Sequence, residues 1–256
     1  MIYKQIMSKN HKKIWITGAS SGIGKALALK FAKENWKVAV SARRNELLDQ
    51  LAKDENIYSF PLDVTDENRV EEQFSEILKK FNNLDLCIFC SGAYDPTLEQ
   101  EINKKQIKKI MNINFFGVLN CIKTVEDYFK NKKSGHISIV SSIAAYRGLP
   151  NSSGYGPSKA ALTNLTESLY FDFKKYNVRI SLISPGFIKT PLTNKNKFNM
   201  PFIKTPEFAA NKIFNGLVKS NSFETHFPKE LTLFVKLLRI LPYRICLFLI
   251  YKFVKR

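Results

Sequence analysis

The sequence predicts an α/β protein: a doubly wound parallel sheet of about seven strands with helices on both faces. Three observations predict it. Short apolar runs of strand length alternate with longer stretches whose apolar residues recur at helical spacing. Most of the short runs are continuously apolar rather than alternating, as strands covered by helices on both faces must be. The chain has 256 residues, 45% of them hydrophobic, enough to bury a sizeable core, which excludes the disordered and fibrous classes.

In chain order the strands are expected at Lys13–Thr17, Lys37–Ser41, Ile57–Leu62, Leu84–Cys90, His136–Ser141, Val178–Ile183 and Ser222–Phe227. Helical spacing marks Ile23–Glu34, Glu46–Lys53, Asp66–Phe81, Lys104–Lys130, Ser152–Tyr176 and Glu207–Lys219. No linker, low-complexity block or internal repeat interrupts the series. The expected organisation is one domain over residues 12–228, followed by an apolar and basic helical appendage over 229–256.

Lys and Arg number 40 against 22 Asp and Glu, a formal charge of +18 that invites a nucleic-acid or anionic-membrane partner. The basic residues are spread along the chain instead of clustered, which argues against specific nucleic-acid binding. Four cysteines make no disulfide framework in a chain this long. Cys87 and Cys90 spell C-x-x-C inside an apolar run, with no second pair and no histidine at ligand spacing, so they read as buried strand cysteines and no metal site is expected. The basic N-terminus leads into an apolar stretch too short for a secretory signal, and Met7 is an equally good start. A cytoplasmic location follows, with the inner face of a membrane as a variant of it.

After the first strand comes Thr17-Gly18-Ala19-Ser20-Ser21-Gly22-Ile23-Gly24, opening a helix. Glycines let the backbone turn tightly and approach a pyrophosphate, whose charge the helix N-terminus then stabilises. The spacing is neither that of a P-loop nor G-x-G-x-x-G. A unit binding NAD places an acid at the end of the second strand to hold the ribose 2′-OH. Here that strand ends Ser41-Ala42-Arg43-Arg44, and the arginine forks suit the 2′-phosphate of NADP(H) in preference to NAD(H). Asp63, with Val64 beside it, either receives the adenine amino group or caps the next helix.

Tyr155 and Lys159 lie four apart on one face of a helix. A tyrosine hydroxyl ordinarily titrates near 10, so acid–base work at neutral pH needs a nearby cation, which Lys159 supplies. Ser142, past the end of the fifth strand, can donate to an oxygen that gains charge as hydride moves. Both fall at the sheet's C-terminal edge, where a doubly wound fold binds ligands.

In these residues the chain resembles the short, single-domain branch of the short-chain dehydrogenase/reductases. The family's motifs are T-G-x-x-x-G-I-G, an Asn ahead of x-x-G, a strand-end Ser, Y-x-x-x-K and a P-G turn. They read here as Thr17 to Gly24, Asn114 to Gly117, Ser142, Tyr155 to Lys159, and Pro185-Gly186 to Thr190, in the family's order, over roughly residues 12–227. The resemblance implies a Rossmann fold, a homo-oligomer, and an NADP(H)-dependent enzyme acting on CH-OH or C=O groups. It implies Tyr155 as general acid/base, Ser142 polarising the carbonyl, Lys159 holding the nicotinamide ribose and lowering the tyrosine pKa, and Asn114 anchoring a relay water. Pro185, Gly186, Ile188 and Thr190 would shape the nicotinamide side, and Gly92 would allow close approach on the adenosine side. One motif departs: the family's N-N-A-G is Phe89-Cys90-Ser91-Gly92, which removes the Asn that supports the central sheet.

The segment Phe187 to Pro206 carries Phe187, Ile188, Leu192, Phe198, Met200, Phe202 and Ile203. It either closes as a lid over a small apolar carbonyl or alcohol substrate or packs on its own domain. The tail Lys229 to Arg256 is apolar, but Lys236, Arg239, Arg244 and Pro242 oppose a membrane span. At helical spacing Leu231, Phe234, Val235, Leu237, Leu238 and Leu241 share an arc opposite Thr232, Lys236 and Arg239. That arc fits either peripheral contact with an anionic membrane or packing on protein. Two other functions are compatible with the same residues: an NADP-binding sensor without turnover, and a membrane- or partner-binding scaffold.

Overall fold

The computed structural model describes residues 11–96, 102–196 and 198–254. The first ten residues, including Met7, and the terminal Lys255 and Arg256 lie outside the described residues.

Seven strands form one sheet: β1 (Lys13–Thr17), β2 (Lys37–Ser41), β3 (Ile57–Ser59), β4 (Leu86–Phe89), β5 (His136–Val140), β6 (Arg179–Pro185) and β7 (Glu224–Phe227). Their spatial order is β3-β2-β1-β4-β5-β6-β7, and every pairing is parallel. The order reverses between β1 and β4, opening a crevice at the strand C-termini, as the doubly wound reading requires. Each strand feeds both layers. Ile14 and Ile16 of β1 face one core with α1 (Gly22–Lys33), α2 (Asn45–Leu51) and α7 (Pro206–Val218), sealed by the edge contact of Phe31 on Phe214. Trp15 faces the other, with α3 (Glu67–Phe81), α5 (Gly117–Lys132) and α6 (Tyr155–Lys174), and gives its indole N–H to Ser41 Oγ at 2.9 Å.

Several expected elements begin or end elsewhere, three of them with consequences for the sheet and the site. The third strand stops at Ser59, although Phe60 and Leu62 still donate to Val40 O and Ala42 O; Pro61 between them turns its nitrogen to the open side of this edge strand, where no N–H is needed. The fourth begins at Leu86, since the Leu84 N–H is taken by the Tyr128 hydroxyl at 2.8 Å. The single helix expected over Lys104–Lys130 is α4 (Lys104–Met111), a wide π turn at Asn112–Phe116, and α5. That extra residue in the turn is invisible to a 3.6-residue period.

The C-terminal appendage forms α8 (Lys229–Ile240) and α9 (Tyr243–Val254). Leu231 and Val235 pack on Ile143, Tyr146 and Phe187. The arc read from the sequence needs correction. Leu231, Thr232, Val235 and Leu238 are buried, whereas Phe234 and Leu237 are exposed. Thr232 can enter because its hydroxyl is satisfied locally, donating to Pro228 O at 2.9 Å and lying 2.7 Å from His226 Nδ1.

Candidate active site

A cleft of about 460 Å³ opens at the C-terminal ends of β1, β4, β5 and β6. Its nucleotide half is the turn from Gly18 to Gly24. The backbone of Gly18 is left-handed (φ +68°), and a Cβ there would lie 2.7 Å from Cys90 O; one on Gly24 would lie 2.4 Å from Gly18 O. Only glycine lets this turn press against β4 and α1 press on the turn. The first turn of α1 carries no acid and no side-chain cap, leaving its positive end to the cleft.

Arg43 and Arg44 both line the cleft but do different things. Arg44 folds back over the turn, donating to Ser20 Oγ (2.7 and 3.1 Å) and Ser21 Oγ (2.8 Å). With their oxygens accepting from Arg44, both hydroxyls keep a proton to donate. Arg43 stays exposed, 3.9 Å from Asp63. Asp63 lines the cleft and accepts from the N–H and hydroxyl of Thr65, while the cap of α3 is Asp66. Of the two readings of Asp63, helix capping is therefore excluded. Val64, Gly92, Pro185, Gly186, Ile188 and Thr190 also line the cleft.

The reactive half gathers Ser142, Tyr155 and Lys159, which are far apart in sequence except for the last two. Ser142 caps a short 3₁₀ turn, accepting from Ala144 N at 3.1 Å. Its hydroxyl sits beside Tyr155 in the cleft and favours the phenolate, yet burial is the larger effect and pushes Tyr155 up to about 12. Lys159 is buried, and desolvation pulls it down to about 8. Its Nζ donates to Val140 O at 2.9 Å and lies 5.8 Å from the centre of the Tyr155 ring. The expected lowering of the tyrosine by this lysine is thus not what the site displays: the ammonium is engaged by a carbonyl, and desolvation of the phenol dominates.

Two predicted residues stand behind the wall of the cleft. Thr17 is fully buried, and its Oγ1 accepts from Cys90 N at 3.2 Å. Asn114, fully buried on the π turn, accepts from Ala93 N (2.7 Å) and donates to Ala93 O (2.9 Å) and Ser158 Oγ (3.0 Å). Both amide protons of Asn114 are therefore used within the protein, and Ser158 passes its own proton to Tyr155 O at 2.7 Å. This chain of bonds ties the loop after β4 to the first turn of α6. Among the described residues no group of three or more His, Cys, Asp or Glu side chains is placed to hold a metal ion.

The model of the short chain dehydrogenase family matches residues 12–200. The chain belongs to this family. An uncharacterized oxidoreductase of Myxococcus xanthus is 31% identical over 239 residues, covering 91% of this chain and 94% of that one. The 3-oxoacyl-[acyl-carrier-protein] reductase FabG of Thermotoga maritima is 31% identical over 185 residues, 70% of this chain and 75% of its own. Among solved structures, ElxO with NADP bound is 28% identical with a TM-score of 0.75, covering 84% of this chain and 97% of that chain. A short chain dehydrogenase of Burkholderia cenocepacia in complex with NADP shares the fold at 22% identity, TM-score 0.80, covering 93% of this chain and 95% of that one. The chain is accordingly a short-chain dehydrogenase/reductase oxidoreductase with a Rossmann fold.

After β4, where the family's motif has Asn and this chain has Cys90, the Cys90 N–H reaches across to Thr17 Oγ1 and ties the end of β4 to the end of β1. Cys90 is not a strand cysteine as expected; the β4 ladder ends at Phe89 and Cys90 lines the cleft, its thiol pushed up to about 11 by burial. Sequence reasoning also missed Tyr94. Its ring meets the Tyr155 ring edge-on at 5.2 Å, its hydroxyl donates to Asn196 Oδ1 at 2.8 Å, and Lys195 Nζ donates to its carbonyl at 2.8 Å. Its position two residues after Gly92, past the sheet's C-terminal edge, was the available signal. The lid segment is held by this contact and by the edge-on pair Phe187–Phe198 at 5.8 Å.

Proposed function

We propose that this enzyme is an NADP(H)-dependent dehydrogenase/reductase acting on a small apolar carbonyl or secondary alcohol, with Tyr155 as its acid–base residue. The observation that carries the reading is the convergence of Ser142, Tyr155 and buried Lys159, its Nζ 5.8 Å from the Tyr155 ring centre, at the reactive end of a glycine-floored cleft.

The residues fit a dinucleotide. A Cβ at Gly92 would project into space beside Lys159 Nζ (3.6 Å) and Asn114 Oδ1 (3.7 Å), so the glycine keeps room that the protein does not itself fill. Ser20, Ser21 and the N-terminus of α1 would hold a pyrophosphate. Arg43 and Arg44, with no carboxylate at the end of β2, favour a 2′-phosphate and hence NADP(H). Asp63 and Val64 would flank the adenine, Pro185 to Thr190 the nicotinamide, and Lys159 the ribose beside it. When bound, the cofactor supplies or accepts the hydride.

The chain's own part is to orient the substrate oxygen and move a proton. Ser142 donates to that oxygen as negative charge develops on it. Tyr155, protonated at neutral pH because burial holds it near 12, gives the oxygen its proton in carbonyl reduction. In the reverse direction the same phenol must first lose its proton, so alcohol oxidation gains rate as pH rises. Asn114 positions the loop and Ser158; its bonds support that role rather than direct contact. The apolar side chains of the lid support an apolar substrate, with water excluded on closure.

The test is Tyr155→Phe, assayed by NADPH oxidation against ketones, aldehydes, quinones and long-chain keto lipids. Loss of a general acid costs about 10²- to 10⁴-fold in turnover, with NADPH binding retained. Full turnover by a variant that binds NADPH normally would remove Tyr155 from the reaction. Binding of NADPH without turnover of any substrate by the wild type would favour the sensor.

A further inference from the structure

We propose that the outer face of the α8–α9 pair is a docking surface for an anionic phospholipid bilayer. The pair is fastened to the catalytic side of the molecule on its inner face only. Arg147, five residues after Ser142, donates to the last carbonyls of α8, Leu238 O (3.1 Å), Arg239 O (2.6 Å) and Leu241 O (3.3 Å), and its guanidinium lies 4.7 Å from the Tyr243 ring centre. Lys236 is spent on Glu224 at 2.5 Å. Cys246 and Ile250 of α9 close against Leu238.

The opposite face is apolar and exposed. Leu233, Phe234, Leu237 and Ile240 on α8 and Ile245 and Phe248 on α9 are each 47–77% exposed. An amphipathic helix with so large an apolar face in water is the form that lies in a membrane interface. Neither helix can do more: no helix of the described residues is long and apolar enough to cross a bilayer. Both are twelve residues, and the surface they offer is the outside of a helix pair rather than a groove that would take a peptide.

Charge chooses the occupant. From Lys229 to Val254, apart from Lys236 paired with Glu224, the basic residues are Lys229, Arg239, Arg244 and Lys252, against one acid, Glu230, in a chain of net charge +18. A second copy docking symmetrically would set Arg239 and Arg244 against a like-charged face. An anionic headgroup layer meets the same residues with the opposite sign, each basic residue near the surface adding to the attraction. The lid meets the pair on the opposite, inner face: Phe187 packs under Leu231 and Val235 and pairs with Phe198, so a docked molecule would hold its lid against the helix that lies on the bilayer.

The experiment is co-sedimentation of the full-length protein with sucrose-loaded vesicles of phosphatidylcholine alone or of phosphatidylcholine with phosphatidylglycerol. Wild type should pellet with the anionic vesicles, less with the neutral ones, and progressively less as salt rises. The variant Phe234→Ser/Leu237→Ser/Phe248→Ser should bind them about a thousandfold more weakly, about tenfold for each of the three large apolar side chains left in water. Because those side chains are exposed, its melting temperature and NADPH affinity should match wild type. Arg239→Gln/Arg244→Gln should lose the preference for anionic lipid. Wild type staying in the supernatant beside anionic vesicles, or a triple variant that pellets as well as wild type, overturns the proposal. So does a wild-type dimer, indifferent to vesicles, that the triple variant turns into monomer, since a second copy is then the occupant.

Discussion

Replacing Lys159 with methionine should make the folded protein more stable at neutral pH and remove its activity. Holding the buried ammonium at about 8 in place of its ordinary 10.5 costs the folded state roughly 3 kcal/mol at pH 7, at about 1.4 kcal/mol per pH unit. Methionine fills similar space without charge, but it gives up the bond to Val140 O at 2.9 Å, worth about 1–1.5 kcal/mol. A net gain of about 2 kcal/mol remains, which for a chain of this size raises the melting temperature by about 4–8 °C. The pH dependence follows from the direction of the shift. Between about 8 and 10.5 the unfolded chain binds the proton that the folded chain has released, so wild-type stability climbs through that window. The methionine advantage therefore holds below pH 8, shrinks above it and reverses at about pH 9.5, where the lysine's remaining cost no longer exceeds the bond to Val140 O. Thermal unfolding followed by circular dichroism at pH 7 and at pH 10, beside an NADPH-oxidation assay, reads both effects. A variant that melts below wild type at pH 7, or an advantage equally large at both pH values, would refute the claim that the site holds its lysine at the expense of stability.

Three other outcomes follow from the same geometry. Arg43→Ala/Arg44→Ala should weaken NADPH binding about ten- to a hundredfold, the loss of about 1.5–3 kcal/mol of charge-assisted hydrogen bonding, and leave NADH nearly unchanged in fluorescence titration. Gly24→Ala puts a Cβ 2.4 Å from Gly18 O and should cost about 1–3 kcal/mol by urea unfolding while also lowering cofactor affinity, since the turn that gives way is the one that would hold the pyrophosphate. His136, with Nε2 2.7 Å from Ser181 Oγ, is pulled down to about 3 by burial, so the unfolded chain takes up its proton first. Stability should fall as pH drops from about 6.5 to 3, by up to roughly 4–5 kcal/mol, and His136→Gln should flatten that acid limb in a pH titration of unfolding.

Patterns local in the chain were legible from sequence. The central strands are marked by apolar runs whose residues serve two cores at once, as Ile14, Trp15 and Ile16 do, and a run buried on both sides needs no knowledge of its neighbours to be recognised. The glycine turn and the Tyr155–Lys159 pair were legible for the same reason, since steric demand and helical spacing act within a few residues. Tertiary structure decided what depends on partners distant in the chain. Val140 precedes Lys159 by 19 residues, so spacing did not reveal that the lysine would spend its amine on that carbonyl, and the height of the Tyr155 pKa comes from desolvation by elements that sequence spacing does not bring together. Arg44 and not Arg43 folds onto Ser20 and Ser21; the two are adjacent in sequence and separable only by where the loop after β2 points them. The same holds for Tyr94, and for α8, where a satisfied Thr232 went inward and Phe234 and Leu237 went outward. Apolar character fixes that a residue seeks cover, whereas the surface it finds, and the groups that desolvate or pair with it, exist only once the chain has closed on itself.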